Sequence, residues 1–586
     1  MAIAIKKTAA IAIAAGLTFA GSAGIAAQDA LAQLPAAPDA QTVNTAKTAS
    51  INIHKKVNPT TYGEATGQPD NTVSGEGLDG VGFTVYRITQ VGDTEINDVS
   101  DQAQYNALAE FSHASNLTFN GDFTEVTGDL NGKKIVAKVA QEGTEQTTVN
   151  GGEAAFSNLQ LGGYVVRETA LPTKANTAYV PAKPFVAVVP TTQTVDGQSA
   201  WDYSIDVYPK NGETTVTKSV KDLTLDEGNQ PTEATNVKSD ISYTVTGTVP
   251  AAPSGEYLKS FVVEDNYDSA ELEVKSRTVK VQVIGADGKT SRDLGDADYK
   301  FATQGELSQN PKHSGAVAQG ANAGWTVTIN DPFKLVPGET VKVTIDATVK
   351  SAADNLVENS ARTFGTTGKA NPGFQPGPSN TTTPTPPTTP GTPPDEPDTP
   401  WDTPDTKVKS YFGDIKIEKY ADDLKDDPAT AEKNERGLEG AEFDIFRCKA
   451  DDDGAMKLVG DKAVQSVKTD ENGYATFSGL HVTNFANNVA LVEDEQFDYC
   501  LKETKAPNGY ALNPNIIKVN ERLETSTAED GKTVQVKAVS QAISNTKKTT
   551  PTLPATGGMG VLIIALAGLA IIGGGVYAAR RNSQSA

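Results

Sequence analysis

Ile51-Asn52-Ile53-His54-Lys55 near one end of the chain and Ile415-Lys416-Ile417-Glu418-Lys419 near the other carry the same pattern, two isoleucines and a lysine at alternate positions. Residues two apart on a β-strand share a face, so each stretch reads as a strand whose apolar face also bears a lysine. The segments downstream of each are repeated too. Gly77-Leu78-x-Gly80-x-x-Phe83 answers Gly437-Leu438-x-Gly440-x-x-Phe443, and Ala154-Ala155-Phe156-Ser157-Asn158-Leu159 answers Ala475-Thr476-Phe477-Ser478-Gly479-Leu480. Tyr164-Val165-Val166-Arg167-Glu168-Thr169 answers Tyr499-Cys500-Leu501-Lys502-Glu503-Thr504. Two copies of one domain therefore flank a third segment. Short alternating runs rich in Val, Ile, Thr, Tyr and Phe, with Gly, Asn and Asp between them, make each copy a β-sandwich.

The segment between the copies, 212–365, has longer alternating strands such as Val341-x-Val343-x-Ile345-x-Ala347-x-Val349, and reads as a differently wired sandwich. The fold class expected is all-β, three tandem immunoglobulin-like sandwiches at 33–211, 212–365 and 411–549. One helix is expected near Asp101–Phe111. Pro and Thr dominate 366–410, a composition that builds an extended, semi-rigid linker. Lys6 and Lys7 ahead of an apolar run mark 1–32 as a cleaved signal peptide. At the other end, Met559–Ala579 is uncharged and long enough for a transmembrane helix in the precursor, with Arg580 and Arg581 on the cytoplasmic side.

Over 586 residues the formal charge is −23, which repels phosphate backbones and excludes nucleic acid as a partner. The only two cysteines, Cys448 and Cys500, suggest a disulfide in an exported chain. Four scattered histidines show no ligand spacing, so neither a metal nor a cofactor is expected, and no catalytic constellation marks an enzyme. Asp451-Asp452-Asp453-Gly454 lacks the alternating ligands of a calcium loop and reads as a solvated hairpin.

Three motifs carry a family resemblance. Leu553-Pro554-Ala555-Thr556-Gly557, followed by the apolar span and the arginines, resembles the sorting signal of sortase substrates. That resemblance implies cleavage after Thr556, transfer of its acyl group, and an extracellular, wall-linked product. Trp201-x-x-x-Ile205-x-Val207-Tyr208-Pro209-Lys210 resembles the pilin motif, with Ile205 where valine is usual, and implies that Lys210 is the acceptor during polymerisation. Alternation turns Ile205, Val207, Pro209 and Asn211 inward and Lys210 toward solvent.

Gly437-Leu438-x-Gly440-x-x-Phe443, Thr469-Asp470-x-x-Gly473 and the run from Tyr499 through Glu503 to Tyr510 resemble collagen-adhesin B-type repeats and the glutamate box of sortase-assembled pilins. The resemblance implies an internal amide between Lys419 and Asn545, promoted by Glu503. Alternation aims all three at the core, where burial disfavours charge on amine and carboxyl alike. An uncharged Lys419 would attack the Asn545 side-chain carbon while Glu503 polarises its carbonyl. The plain alternative is a lysine snorkelling at a strand end.

The middle segment resembles A-type domains, implying Lys218, Asn359 and an aspartate. Asp265 shares a face with Phe261 and Val263, whereas Asp240 alternates outward. In the first copy, Lys55, Glu168 and Asn211 sit where Lys419, Glu503 and Asn545 do in the last, which implies a third bond or a trio satisfied by hydrogen bonds. Taken together, the resemblance is to major shaft subunits of Gram-positive fimbriae. Its implied partners are a sortase, further copies of the chain, minor pilins, host surface ligands and peptidoglycan. The alternative is a monomeric wall-anchored adhesin.

Overall fold

The computed structural model describes residues 43–549 apart from 60, 62, 64, 196–197, 227–230, 254–255, 308, 310–311, 369–398, 423–435, 452 and 528–533. The leader, the sorting motif with Thr556, and the apolar stretch after it lie outside the described residues. Among those described, no helix is long and apolar enough to cross a membrane. Two compact units result. Among the described residues, one holds those of 43–413 with 479–496 and 524–536, the other those of 414–478 with 497–523 and 537–549.

The first sandwich begins with β1 (Ala49–His54) and the short β2 (Lys56–Val57), followed by β3 (Gly82–Val91), helix α1 (Gln102–Ser112), β4 (Lys133–Thr147), β5 (Glu153–Leu159), β6 (Gly162–Ala170), β7 (Phe185–Val189) and β8 (Ser204–Val207). β1 lies between β8, which runs parallel to it, and antiparallel β5. β3, β4, β6 and β7 form the facing sheet. Ile51, Ile53, Phe83, Val166, Ile205 and Val207 fill the space between. The facing sheet is apolar on its outer side as well, and there Leu108 and Phe111 of α1 cover Ile88, Val165 and Val186. The helix starts where expected because the Asp101 carboxylate accepts the Ala103 and Gln104 N–H groups, both at 3.0 Å.

β9 (Lys210–Lys221) leads into the middle sandwich, which is completed by β10 (Asp240–Thr248), β11 (Tyr257–Tyr267), β12 (Ala323–Ile329), β13 (Thr340–Val349) and β14 (Leu356–Gly368). β9, β10 and β13 are neighbours in one sheet, and β12, β11 and β14 in the other. Trp325, Phe261, Tyr243 and Ile345 are packed between them.

The boundary expected at 211/212 is not a break. β9 pairs with β2 through Lys210 and Asn211 and with β10 from Val216 onward, so one strand serves both sandwiches. The linker expected at 366–410 is also narrower. β14 continues to Gly368, Asp402 pairs back onto Phe364, and Thr406 pairs onto Ala361. Trp401 is buried against Phe261, and its apolar contact outweighs the local Pro/Thr composition.

β15 (Thr406–Ala421) gives its first half to the first unit and its second half to the second. There it is joined by β16 (Glu442–Ala450), β17 (Asp498–Lys505) and β18 (Val539–Asn545). Ile415–Ala421 runs parallel to Val539–Asn545. Gly479–Gln496, expected within the last domain, belongs to the first unit, where Asn487 exchanges hydrogen bonds with Asp222 and Leu223. The signal there is a side-chain amide, not an apolar period.

Cys448 and Cys500 form a disulfide across the neighbouring strands β16 and β17, with Cα atoms 5.8 Å apart and a sequence separation of 52. The chain-entropy model values a loop of that length at about 4 kcal/mol. Cys448→Ser with Cys500→Ser is expected to lower the melting temperature of the second unit by several degrees in calorimetry, leaving the first unit unchanged. Asp451 caps a tight turn between Ala450 and Ala455, as a hairpin requires.

Candidate functional site

In the second unit Lys419 Nζ lies 2.5 Å from Asn545 Oδ1 and 3.3 Å from Glu503 Oε1, and Asn545 Nδ2 donates to that same Glu503 oxygen at 2.9 Å. Glu503 Oε2 accepts the Asn513 N–H at 2.7 Å. All three side chains are buried, and burial lowers the Lys419 pKa, with Glu503 opposing. The carboxylate therefore touches the amide nitrogen and the amine. This differs from the expectation that it would polarise the carbonyl, and suits it to carrying a proton from one nitrogen to the other.

The first copy repeats the arrangement. Lys55 Nζ is 2.5 Å from Asn211 Oδ1 and 2.7 Å from Glu168 Oε2, and Asn211 Nδ2 donates to Glu168 Oε1 at 2.8 Å. Burial again lowers the lysine pKa against the opposing charge of Glu168.

The backbone explains why both copies place the lysine alike. Lys55 N donates to Gly152 O and Lys419 N to Gly473 O, each at 2.7 Å. Leu78 N and Leu438 N then donate back to the carbonyls of those lysines at 3.1 and 2.9 Å. Gly152 and Gly473 hold φ of +90° and +80°, and a Cβ on either would meet the lysine carbonyl at 2.3 Å. The repeated glycines thus clamp the lysine main chain.

In the middle sandwich the Lys218 amine contacts Asp265, both side chains being fully buried. Burial lowers the Lys218 pKa and raises that of Asp265, each opposed by the partner's charge. Asn359 lies against Asp265 and Tyr243, although neither of its amide atoms completes a hydrogen bond of ordinary geometry. Asp240, by contrast, is exposed and pairs with Lys275 at 2.5 Å.

Each buried lysine also sits over a ring. Phe83 is 5.7 Å from Lys55 Nζ, Tyr243 4.9 Å from Lys218 Nζ and Phe443 5.2 Å from Lys419 Nζ. Sequence reasoning assigns these rings no role. A signal is nonetheless present, since Phe83 and Phe443 end the repeated glycine motif and pair across strands with Glu168 and Glu503.

Lys210 is of a different kind. It turns away from the buried Asn211 as alternation requires, but open water is not what it meets. It is half-buried, pairs in register with Lys56, and feels the charges of Asp70 and Lys55. Its pKa is lowered to about 8, chiefly by burial, with Asp70 raising it and Lys55 lowering it further.

Tandem sandwiches, each closing a lysine, an asparagine and an acid inside its core, define an all-β protein. Comparison finds similarity to pilin domains and fimbrial subunits. Residues 46–212 match the Gram-positive pilin subunit D1, N-terminal domain, and residues 429–532 match a prealbumin-like fold domain. The chain is 28% identical over 582 residues to fimbrial subunit type 2 of Actinomyces naeslundii, covering 92% of each. It is 27% identical over 599 residues to fimbrial subunit type 1 of Actinomyces viscosus, covering 98% of this chain and 97% of that one. The full-length major pilin SpaD from Corynebacterium diphtheriae shares the fold, with a TM-score of 0.56 and 23% identity over 87% of this chain and 99% of that chain. Residues 46–212 thus match a Gram-positive pilin domain, and the chain is similar over nearly its whole length to fimbrial subunits.

Proposed function

We propose that the chain is the shaft subunit of a covalent fimbria, joined head to tail by a sortase between Thr556 of one copy and Lys210 of the next. The observation that carries this reading is the contrast among the lysines. Three are sealed in cores, Lys55 and Lys419 against asparagines and Lys218 against Asp265, whereas Lys210, ending the pilin-like motif, is partly accessible and holds a depressed pKa of about 8. In the joining step the Thr556–Gly557 peptide bond breaks, and the Thr556 carbonyl is held as a thioester on the sortase. The neutral Lys210 amine then forms the new amide, the thiolate leaves, and the nitrogen's surplus proton returns to it. The last copy is passed to peptidoglycan, and the finished fibre serves adhesion with minor pilins and host surface ligands as partners.

Within each copy, Lys419 would form an amide with the Asn545 side chain, Lys218 with Asn359, and Lys55 with Asn211. The amine attacks the amide carbon, the neighbouring carboxyl carries a proton from the incoming nitrogen to the leaving one, and ammonia departs. The chain turns over only itself and is otherwise a substrate. Tension entering at Lys210 would meet the Lys218 bond on the same strand β9, so the middle sandwich need not rely on hydrogen bonds worth about 1 kcal/mol each.

The test is peptide mapping of purified fimbriae by tandem mass spectrometry. A branched peptide joining Thr556 to Lys210 is expected, and a joint at any other lysine would refute the assignment.

A further inference from the structure

Thr469 opens one of the motifs of the last sandwich, yet it is no member of the Lys419, Asn545 and Glu503 trio. It lies just past the strand Gln465–Lys468 and is buried. Its hydroxyl donates to the Leu438 carbonyl at 2.7 Å and accepts the Ala441 N–H at 3.0 Å. Its backbone closes the same turn, Thr469 N donating to Ala441 O at 2.9 Å and Gly440 N to Thr469 O at 3.1 Å. Thr148, directly after β4 and also buried, does the same in the first sandwich. Its hydroxyl donates to Leu78 O at 2.7 Å and accepts the Val81 N–H at 2.9 Å. Thr148 N donates to Val81 O at 2.9 Å, and Gly80 N to Thr148 O at 2.8 Å.

Each hydroxyl thus bridges the two ends of a short turn. One end is the leucine whose N–H holds the carbonyl of the buried lysine, Leu438 on Lys419 and Leu78 on Lys55. The other end leads into the strand that carries the ring over the amine, Phe443 on β16 and Phe83 on β3. Those rings stand in register with Glu503 and Glu168. Lys419 and Glu503 belong to strands of different sheets, β15 and β17, so no ladder of backbone bonds sets their spacing. The turn from Leu438 to Ala441 crosses between those sheets, and the threonine hydroxyl fixes its span. Two separate sandwiches build this bridge with the same donors and acceptors.

We propose that Thr469 and Thr148 are positioning residues for internal amide formation, setting the lysine amine against the acid and the asparagine. The proposal rests on the reading of Lys419–Asn545 and Lys55–Asn211 as bond-forming pairs. In that reaction the amine nitrogen bonds to the amide carbon, the old carbon–nitrogen bond breaks, and ammonia leaves with the proton that the carboxyl carries across. Such a step needs the amine and amide held in near-attack geometry, and a misplacement of about 1 Å costs on the order of a hundredfold in rate. Valine keeps the shape of threonine but leaves the Leu438 carbonyl and the Ala441 N–H without their bridge, so the turn relaxes toward other partners.

The experiment follows the full ectodomain from the moment of its synthesis in a cell-free translation system at fixed pH. Samples are quenched in acid, ammonia loss is read by intact mass, and each bond is assigned to its sandwich by peptide mapping. Thr469→Val is expected to slow formation of the Lys419–Asn545 bond by roughly tenfold to a hundredfold, with the Lys55–Asn211 and Lys218–Asn359 bonds keeping their wild-type rates. Thr148→Val should slow the Lys55–Asn211 bond alone. Thr469→Ser, which retains the hydroxyl, should recover most of the rate. Ile445→Val loosens the same core without touching the turn and should react as wild type. Equal rates in Thr469→Val and wild type would overturn the proposal, and so would equal slowing in Thr469→Val and Ile445→Val, the mark of a general loss of packing. Failure of the wild type to lose ammonia at Lys419–Asn545 would instead remove the bond itself, and with it the reading on which the positioning role rests.

Discussion

Lys210→Ala is expected to collapse the ladder of high-mass species on denaturing gels to a single band, without unfolding the chain. The side chain is half-buried rather than part of a core, and its backbone pairing with Lys56 does not depend on the amine. Its removal deletes the nucleophile and little else. The pH dependence carries the same information from the other side. With a pKa of about 8, about one amine in ten is neutral at pH 7, against roughly one in three thousand for an ordinary lysine. The neutral form attacks, so the single-turnover joining rate should climb about tenfold per unit from pH 6 to 7.5 and level off above about 8.5. A plateau reached only near pH 10 would mean that the acceptor is an ordinary exposed lysine. A single band from the wild type as well as from the mutant would favour a monomeric wall-anchored adhesin.

The two outer sandwiches are legible in the sequence because three signals agree there. Alternation places Ile51, Ile53 and Lys55 on one face, the glycine motif recurs, and the acid and amide lie at matching distances along both copies. The register confirms the faces, since β1 and β8 pair in parallel through Ile51 and Ile205, and β15 and β18 through Ile415 and Val539. Boundaries are less legible. A strand such as β9 can serve two sheets, because a strand's pattern states which face is buried but not which neighbour buries it. The companions of Lys210 are invisible for a related reason. Asp70 belongs to an irregular segment with no period, and its backbone N–H donates to the hydroxyl of Tyr208, two residues before Lys210, a bond that no side-chain pattern encodes.

Glu503→Ala is expected to leave Lys419 and Asn545 unjoined, and intact mass will then exceed the value for the bonded variant by one ammonia. Wild-type ectodomain should fall short of its unmodified sum by three ammonias and the two hydrogens of the disulfide. Geometry distinguishes this from a general loss of packing. Glu503 Oε1 is within 3.3 Å of the Lys419 amine and 2.9 Å of the Asn545 amide nitrogen, so without it the proton has no path between them. Stability should fall for two separable reasons. Lys419 loses the partner that compensates its buried charge, a defect worth roughly 3–5 kcal/mol. The missing cross-link also frees a loop spanning 126 residues, about 5 kcal/mol in the chain-entropy model. Lys419→Ala removes the bond without stranding a charge and should be the milder of the two, although its melting point should still drop by on the order of 20 °C. Equal melting points for Lys419→Ala and wild type, with equal ammonia deficits, would show that no covalent tie forms between β15 and β18 and that the trio is held by hydrogen bonds alone.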